Sequence, residues 1–259
     1  MIAEFLGNSG AGKSTLLPIL TQLLRDDEMV AMSVTEGIRH YTAKMHLGRA
    51  VCALAPQAWR GPLLWWSFFF LPYWLHMVQF ARQQPRLVHY VIGLQLRRPI
   101  PWRFRWSILR LFFRMASEYH FLSSQARADE VVVFDEGFVH RAVQMFVSEA
   151  EQVRPEQIAE YLRLLPRSDL VILVKAAPAT CLARIQFRGL QERLRNLTAQ
   201  DIARFMTNME QVISIVSQYL QGTGWPIVEV INDGDLSVST AELQRKVAPY
   251  VSRAANTVG

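Results

Sequence analysis

From Gly37 through Ser117 the chain has no aspartate and no glutamate. The same stretch holds eleven arginines and Lys44, so with a formal net charge of +6 overall the remainder is net negative by six. Charge this segregated points to an anionic partner of some kind. Cysteine is also scarce. Cys52 and Cys181 are the only two, far apart and without metal-ligand spacing, which excludes a disulfide scaffold or a cysteine zinc site. They read as reduced thiols, and the expected setting is cytoplasmic. The first strand begins at the initiator Met, which leaves no room for a signal peptide of the usual form. No internal repeat, no low-complexity tract and no guanine-reading N/T-K-x-D segment occurs.

What is present is concentrated near the start. "FLGNSGAGKSTLL" (Phe5 to Leu17) contains Gly7-x-x-x-x-Gly12-Lys13-Ser14, the phosphate-loop spacing. Its backbone N–H groups, from Gly7, Asn8, Ser9, Gly10, Ala11 and Gly12 to Lys13, Ser14 and Thr15, would converge on an anion at a helix N-terminus. Lys13 would reach the β- and γ-phosphates, and the Ser14 hydroxyl would hold Mg2+. The flanks agree. Ile2–Leu6 reads as a strand, and Ser14–Arg25 carries leucines and isoleucine at helical spacing, with Pro18 near its start.

Five short, mostly β-branched runs punctuate the chain: Ile2–Leu6, Met29–Val34, Val131–Phe134, Leu170–Val174 and Ile227–Ile231. They alternate with helical patterns at Ser14–Arg25, Arg103–Ser123, Pro155–Leu165, Pro178–Phe187, Thr198–Leu220 and Ser239–Ala248. This alternation predicts α/β architecture: a doubly wound, five-stranded parallel sheet with helices on both faces. Ligands of such sheets lie at the carboxyl ends of the strands, where the Gly7–Ser14 loop falls. The 259 residues suit one domain with a helical insertion at about 56–122.

Two further segments carry chemistry. "VVVFDEGF" places Asp135 and Glu136 directly after a buried strand, where a carboxylate can hold Mg2+ or accept a proton from an attacking hydroxyl. "CLARIQFRGLQERL" carries Arg184, Arg188 and Arg193; the first two are four apart and share a helix face, so both can clamp one anion. Gly189 is placed to hinge that segment.

The order of phosphate loop, strand-end acid, Arg-x-x-x-Arg-Gly, long helix and final "NDG" resembles the nucleoside and nucleotide kinases of the P-loop group. It is most similar to their thymidylate-kinase-like branch. The resemblance covers about Met1–Gly37 and Ser123–Val251. It implies an ATP-dependent phosphotransferase using Mg2+, with Lys13, Asp135, Arg184 and Arg188 catalytic. "ARIQFRG" would be its lid, Thr198–Leu220 the helix after it, and Asn232-Asp233-Gly234 the loop near the adenine. "VTEGIRHYT" (Val34 to Thr42) would form the acceptor side, with Glu36, Arg39, Arg49, Glu136 and Arg141 as acceptor candidates. The acceptor would be a nucleoside, nucleotide or sugar-like molecule. The departures lie on that side: Glu136-Gly137 stand where an arginine and an aromatic residue usually follow the acid, and Thr35-Glu36-Gly37 replaces Arg-Glu-Pro-Gly-Gly. The alternative is a membrane-peripheral P-loop NTPase or switch without a small acceptor.

The insertion holds six of the seven tryptophans. "GPLLWWSFFFLPYWLHMVQF" is nearly span length, but Pro72 and His76 interrupt it. Two readings stay open: a buried helical hairpin forming the acceptor pocket, or a surface on the inner face of an anionic membrane. Consecutive aromatics such as Phe68-Phe69-Phe70 argue against a nucleic-acid platform, which needs spaced rings. Pairing into a homodimer through helices is left open.

Overall fold

The computed structural model describes residues 1–26, 29–147, 152–188 and 198–256, with the side chains of 199 and 252–256 excepted. Its strands are β1 (Ile2–Gly7), β2 (Val30–Ser33), β3 (Glu130–Phe134), β4 (Leu170–Lys175) and β5 (Ile227–Ile231). They form one sheet in the order β2-β3-β1-β4-β5, and every pairing is parallel. The alternation along β3 shows why the strands read as unbroken apolar runs. Val131 and Val133 join one buried cluster, while Val132 and Phe134 join another. Both faces of the sheet are covered, so both periodic positions are mostly apolar, and a polar side chain there needs a buried partner.

The helices are α1 (Lys13–Asp26), α2 (Val34–Lys44), α3 (His46–Leu54), α4 (Gln57–Phe70), α5 (Pro72–Gln83), α6 (Pro85–Arg97), α7 (Trp102–Gln125), α8 (Phe138–Phe146), α9 (Pro155–Leu164), α10 (Pro178–Arg188), α11 (Ala199–Gly222) and α12 (Leu236–Asn256). Helix α1 runs through Pro18 without ending. Helix α2 starts in a reciprocal capping box, with the Ser33 hydroxyl accepting from the Glu36 N–H and the Glu36 carboxylate accepting from the Ser33 N–H. Thr198 accepts from the Asp201 N–H at the start of α11, as the Thr-x-x-Asp spacing predicts.

The insertion is a run of helices, not a single hairpin. Proline sits at the first helical positions of α5 and α6 and at the N-caps of α4 and α7. A residue with no N–H to lose and φ preset suits those positions. Pro72 thus divides the long apolar run into two helices, and no described helix is long and apolar enough to cross a membrane. Phe80, Leu87, Val91, Leu109 and Phe112 from α5, α6 and α7 share a buried cluster with β1 and β4. Both cysteines are free thiols.

Candidate active site

The carboxyl end of β1 runs into the loop Gly7–Gly12 and then α1. Gly10 and Gly12 take φ of +81° and +98°, and a Cβ on them would strike the Cys181 carbonyl and the Asn232 amide. Side chains are excluded there twice over, by backbone conformation and by space. The Asn232 amide donates to the Ala11 carbonyl (2.7 Å), while its oxygen accepts from the Ser239 hydroxyl (3.1 Å). Asn232 thus props the loop from β5 and is absent from the cleft lining.

Above the loop lies a cleft of about 430 Å3. Ser9, Gly10, Gly12, Lys13, Ser14 and Thr15 form its floor, Asp135 and Glu136 one wall, and Arg184 and Arg188 another. Gly7, Asn8 and Ala11 lie beneath and shape the turn; Ala11 is fully buried. The Lys13 ammonium donates to the carbonyls of Gly7 (2.9 Å) and Asn8 (3.1 Å). Burial pulls its pKa below the ordinary lysine range, opposed by the nearby Glu136 and Asp135. Arg184 reaches across from α10 to the carbonyls of Gly10 (3.3 Å) and Ala11 (3.4 Å).

The Ser14 hydroxyl donates to Asp135 Oδ2 at 3.0 Å. Asp135 Oδ1 is buried and has no hydrogen-bond partner. A serine hydroxyl beside a carboxylate with one unpaired buried oxygen is a hard-oxygen set that fits Mg2+. That pairing joins residues 121 positions apart in sequence.

Behind this wall is a network that sequence reading misses. Glu4 lies in the middle of β1, fully buried, and accepts from the Val139 N–H (2.9 Å) and from the Ser168 hydroxyl. Burial pushes its carboxyl above the ordinary glutamate range, countered by those hydrogen bonds. It caps the start of α8, and a Cβ on Gly137 would collide with its carboxylate. This explains the glycine after Asp135-Glu136. On α8, His140 and Gln144 line the cleft, as do Phe205 and Met209 from α11. Glu136 accepts from the Gln144 amide (2.9 Å) and is ion-paired with Arg141 (3.4 Å). His140 Nε2 lies 3.8 Å from Glu136, and its buried Nδ1 has no partner. Desolvation holds His140 well below the usual histidine range, reinforced by the positive charges of Lys13 and Arg141.

The remaining acceptor candidates lie elsewhere. Glu36 is engaged in the α2 cap and with Arg25 (3.3 Å), and it lines a shallow concavity with Arg39 and His40 beside β2. Arg49 is exposed on α3, its Nε donating to the Lys44 carbonyl. Arg141 is mostly buried behind Glu136. Gly189 and Arg193 lie outside the described residues.

No protein-family model matches the chain, and no curated protein matches it. Solved structures of the deoxyadenosine kinase of M. mycoides are similar to it at low identity. The structure with bound dATP is 14% identical, covers 96% of this chain and 99% of its own, and superposes with a TM-score of 0.48. The one with dCMP and dCDP is 15% identical over 96% and 99%, with a TM-score of 0.46. For the one with bound dCTP the values are 13%, 96%, 100% and 0.43.

Proposed function

We propose that this chain is an ATP-dependent kinase that transfers the γ-phosphoryl group to a hydroxyl or phosphate oxygen of a small acceptor. The observation that carries the reading is the meeting of Ser14 and Asp135 at 3.0 Å above a glycine cradle, with Lys13, Arg184 and Arg188 facing one cleft. The loop N–H groups and Lys13 hold the triphosphate. Lys13 trades its two loop carbonyls for phosphate oxygens as the ligand enters, so the cation is already positioned. Ser14 and Asp135 would hold Mg2+, which when bound screens phosphate charge and orients the terminal group. Arg184 and Arg188 offset charge on the transferring group from the opposite wall.

In the step itself, an acceptor oxygen forms a bond to the γ-phosphorus while the bond from that phosphorus to the β–γ bridging oxygen breaks. ADP leaves, and the acceptor's proton passes to a carboxylate. With Asp135 turned to Ser14, Glu136 is the carboxylate on the acceptor side, aimed by Gln144 and Arg141. His140, Val143, Phe205 and Met209 give the space beyond it a mixed polar and apolar lining. Such a lining suits a flat, partly apolar acceptor such as a nucleoside better than a fully hydroxylated sugar.

The test is label transfer from γ-labelled ATP to a panel of nucleosides, nucleoside monophosphates and sugars. Lys13→Ala is expected to lower transfer at least about a hundredfold with an unchanged circular-dichroism spectrum. Release of label only as free phosphate, across the panel, would assign the chain to the NTPase class instead.

A further inference from the structure

Helix α4 is apolar on two opposite sides. Leu64 and Phe68 point inward, and the Phe68 ring packs on Phe121 with centroids 5.1 Å apart. On the other side Trp59, Leu63, Trp66 and Phe70 recur at intervals of four, three and four, and are 63%, 39%, 69% and 82% exposed. A surface helix ordinarily turns polar residues outward. Helix α3 repeats the feature, with Leu47 and Leu54 exposed seven positions apart. A shallow groove of about 650 Å3, lined by Leu47, Val51, Leu54, Trp59 and Leu63, joins the two stripes into one surface. Continuous apolar surface of this kind marks an interaction site.

Charge selects the occupant. Arg60 is exposed beside Trp59 at the edge of this face, and neither α3 nor α4 carries an acid. In a two-fold dimer each copy would present this same surface, so cations would face cations with no carboxylate to receive them. A membrane-spanning role is excluded by length, since the 14 residues of α4 reach about 21 Å against a hydrocarbon core of roughly 30 Å. An anionic lipid surface satisfies both features. Tryptophan, phenylalanine and leucine enter the headgroup boundary while guanidinium groups meet lipid phosphates.

We propose that the exposed face of α3 and α4 docks on an anionic bilayer, with the chain lying on the membrane without crossing it. The inference is independent of the kinase reading, because none of these residues lines the cleft.

Flotation of the full chain tests it, with vesicles of phosphatidylcholine alone and of phosphatidylcholine mixed with phosphatidylglycerol. The chain floats with the mixed vesicles at low salt and stays behind with phosphatidylcholine alone. The double substitution Trp66→Ser, Phe70→Ser leaves every charge in place, yet it lowers the floating fraction about tenfold, with an unchanged melting temperature. Arg60→Gln releases the chain at lower salt. A wild-type chain that remains in the dense fraction with mixed vesicles overturns the proposal. So does a serine variant that floats as well as the wild type, or a wild-type dimer that the serine variant converts to monomer, which would give this face to a second copy.

Discussion

Lys13 spends its ammonium on the carbonyls of its own loop, and Gly12 beside it has no room for a single carbon. These two demands are local, which is why the loop is legible from eight consecutive residues. Gly12→Ala should therefore fail in two ways. Its backbone strain costs on the order of 1–3 kcal/mol, and its methyl group displaces the Asn232 amide that props Ala11. The expected outcome is a lower melting temperature together with loss of nucleotide binding by calorimetry. Asp135→Asn separates stability from function. The amide oxygen can still accept from Ser14, so the fold persists while Mg2+-dependent ATP binding falls, measurable by titration with and without Mg2+. Glu4, His140 and Gln144 were not legible. Glu4 gains its meaning from distant partners, Val139 and Ser168, while His140 and Gln144 gain theirs from Glu136 in the turn that leads into their own helix. A lone glutamate in an apolar strand carries no sign that it caps a helix 135 residues later.

Elements were legible where their ends are marked. Pro155 opens α9, Pro178 opens α10 and Thr198 caps α11, each where the apolar periodicity also begins. Helices α2, α5 and α6, whose starts carry Ser33 with Glu36 or a proline, are not read as separate helices from the sequence. Helix α8 has no side-chain cap of its own, since its N-terminus is served by Glu4 from β1, and nothing local announces it. Packing between α5 and α7 shows a different kind of coupling. His76 and His120 are both buried, with Nδ1 atoms 2.8 Å apart, so one ring donates and the other accepts. Burial, helped by the charge of His120, holds His76 down at about 4 against an ordinary 6.5. Burial lowers His120 as well. Both rings are kept neutral in the fold and protonate more readily when unfolded. The stability they contribute is therefore complete above pH 6.5 and is lost as pH falls from 6.5 towards 4. Thermal melts of the wild type and of His76→Phe across that range should show their difference shrinking as the solution is acidified. A difference that is constant with pH would mean the pair does not titrate with unfolding.

At the scale of the molecule, the acid-free span Gly37–Ser117 and the acidic remainder are not two separate bodies packed side by side. On Phe138, the first residue of α8, the Phe80 ring of α5 stacks at 5.2 Å and the Phe112 ring of α7 packs edge-on at 5.9 Å. The wall that carries Asp135 and Glu136 is thus backed by the insertion, while the floor comes from β1 and the opposite wall from α10. A ligand spanning floor and walls ties together three regions, the loop residue Ser14 lying 121 positions from Asp135 and Gly10 174 from Arg184. Ligand binding to the folded state alone stabilises it by about 2.7 kcal/mol at a hundredfold excess over Kd. In a chain of this size that corresponds to a rise in melting temperature of roughly 5 °C or more. ATP with Mg2+ should produce that rise in the wild type, and chelation of the metal should remove most of it. Asp135→Asn should respond equally to ATP with and without Mg2+, because the carboxylate proposed to hold the metal is gone. If the wild type shows no rise at saturating ATP and Mg2+, the cradle holds something other than a nucleoside triphosphate.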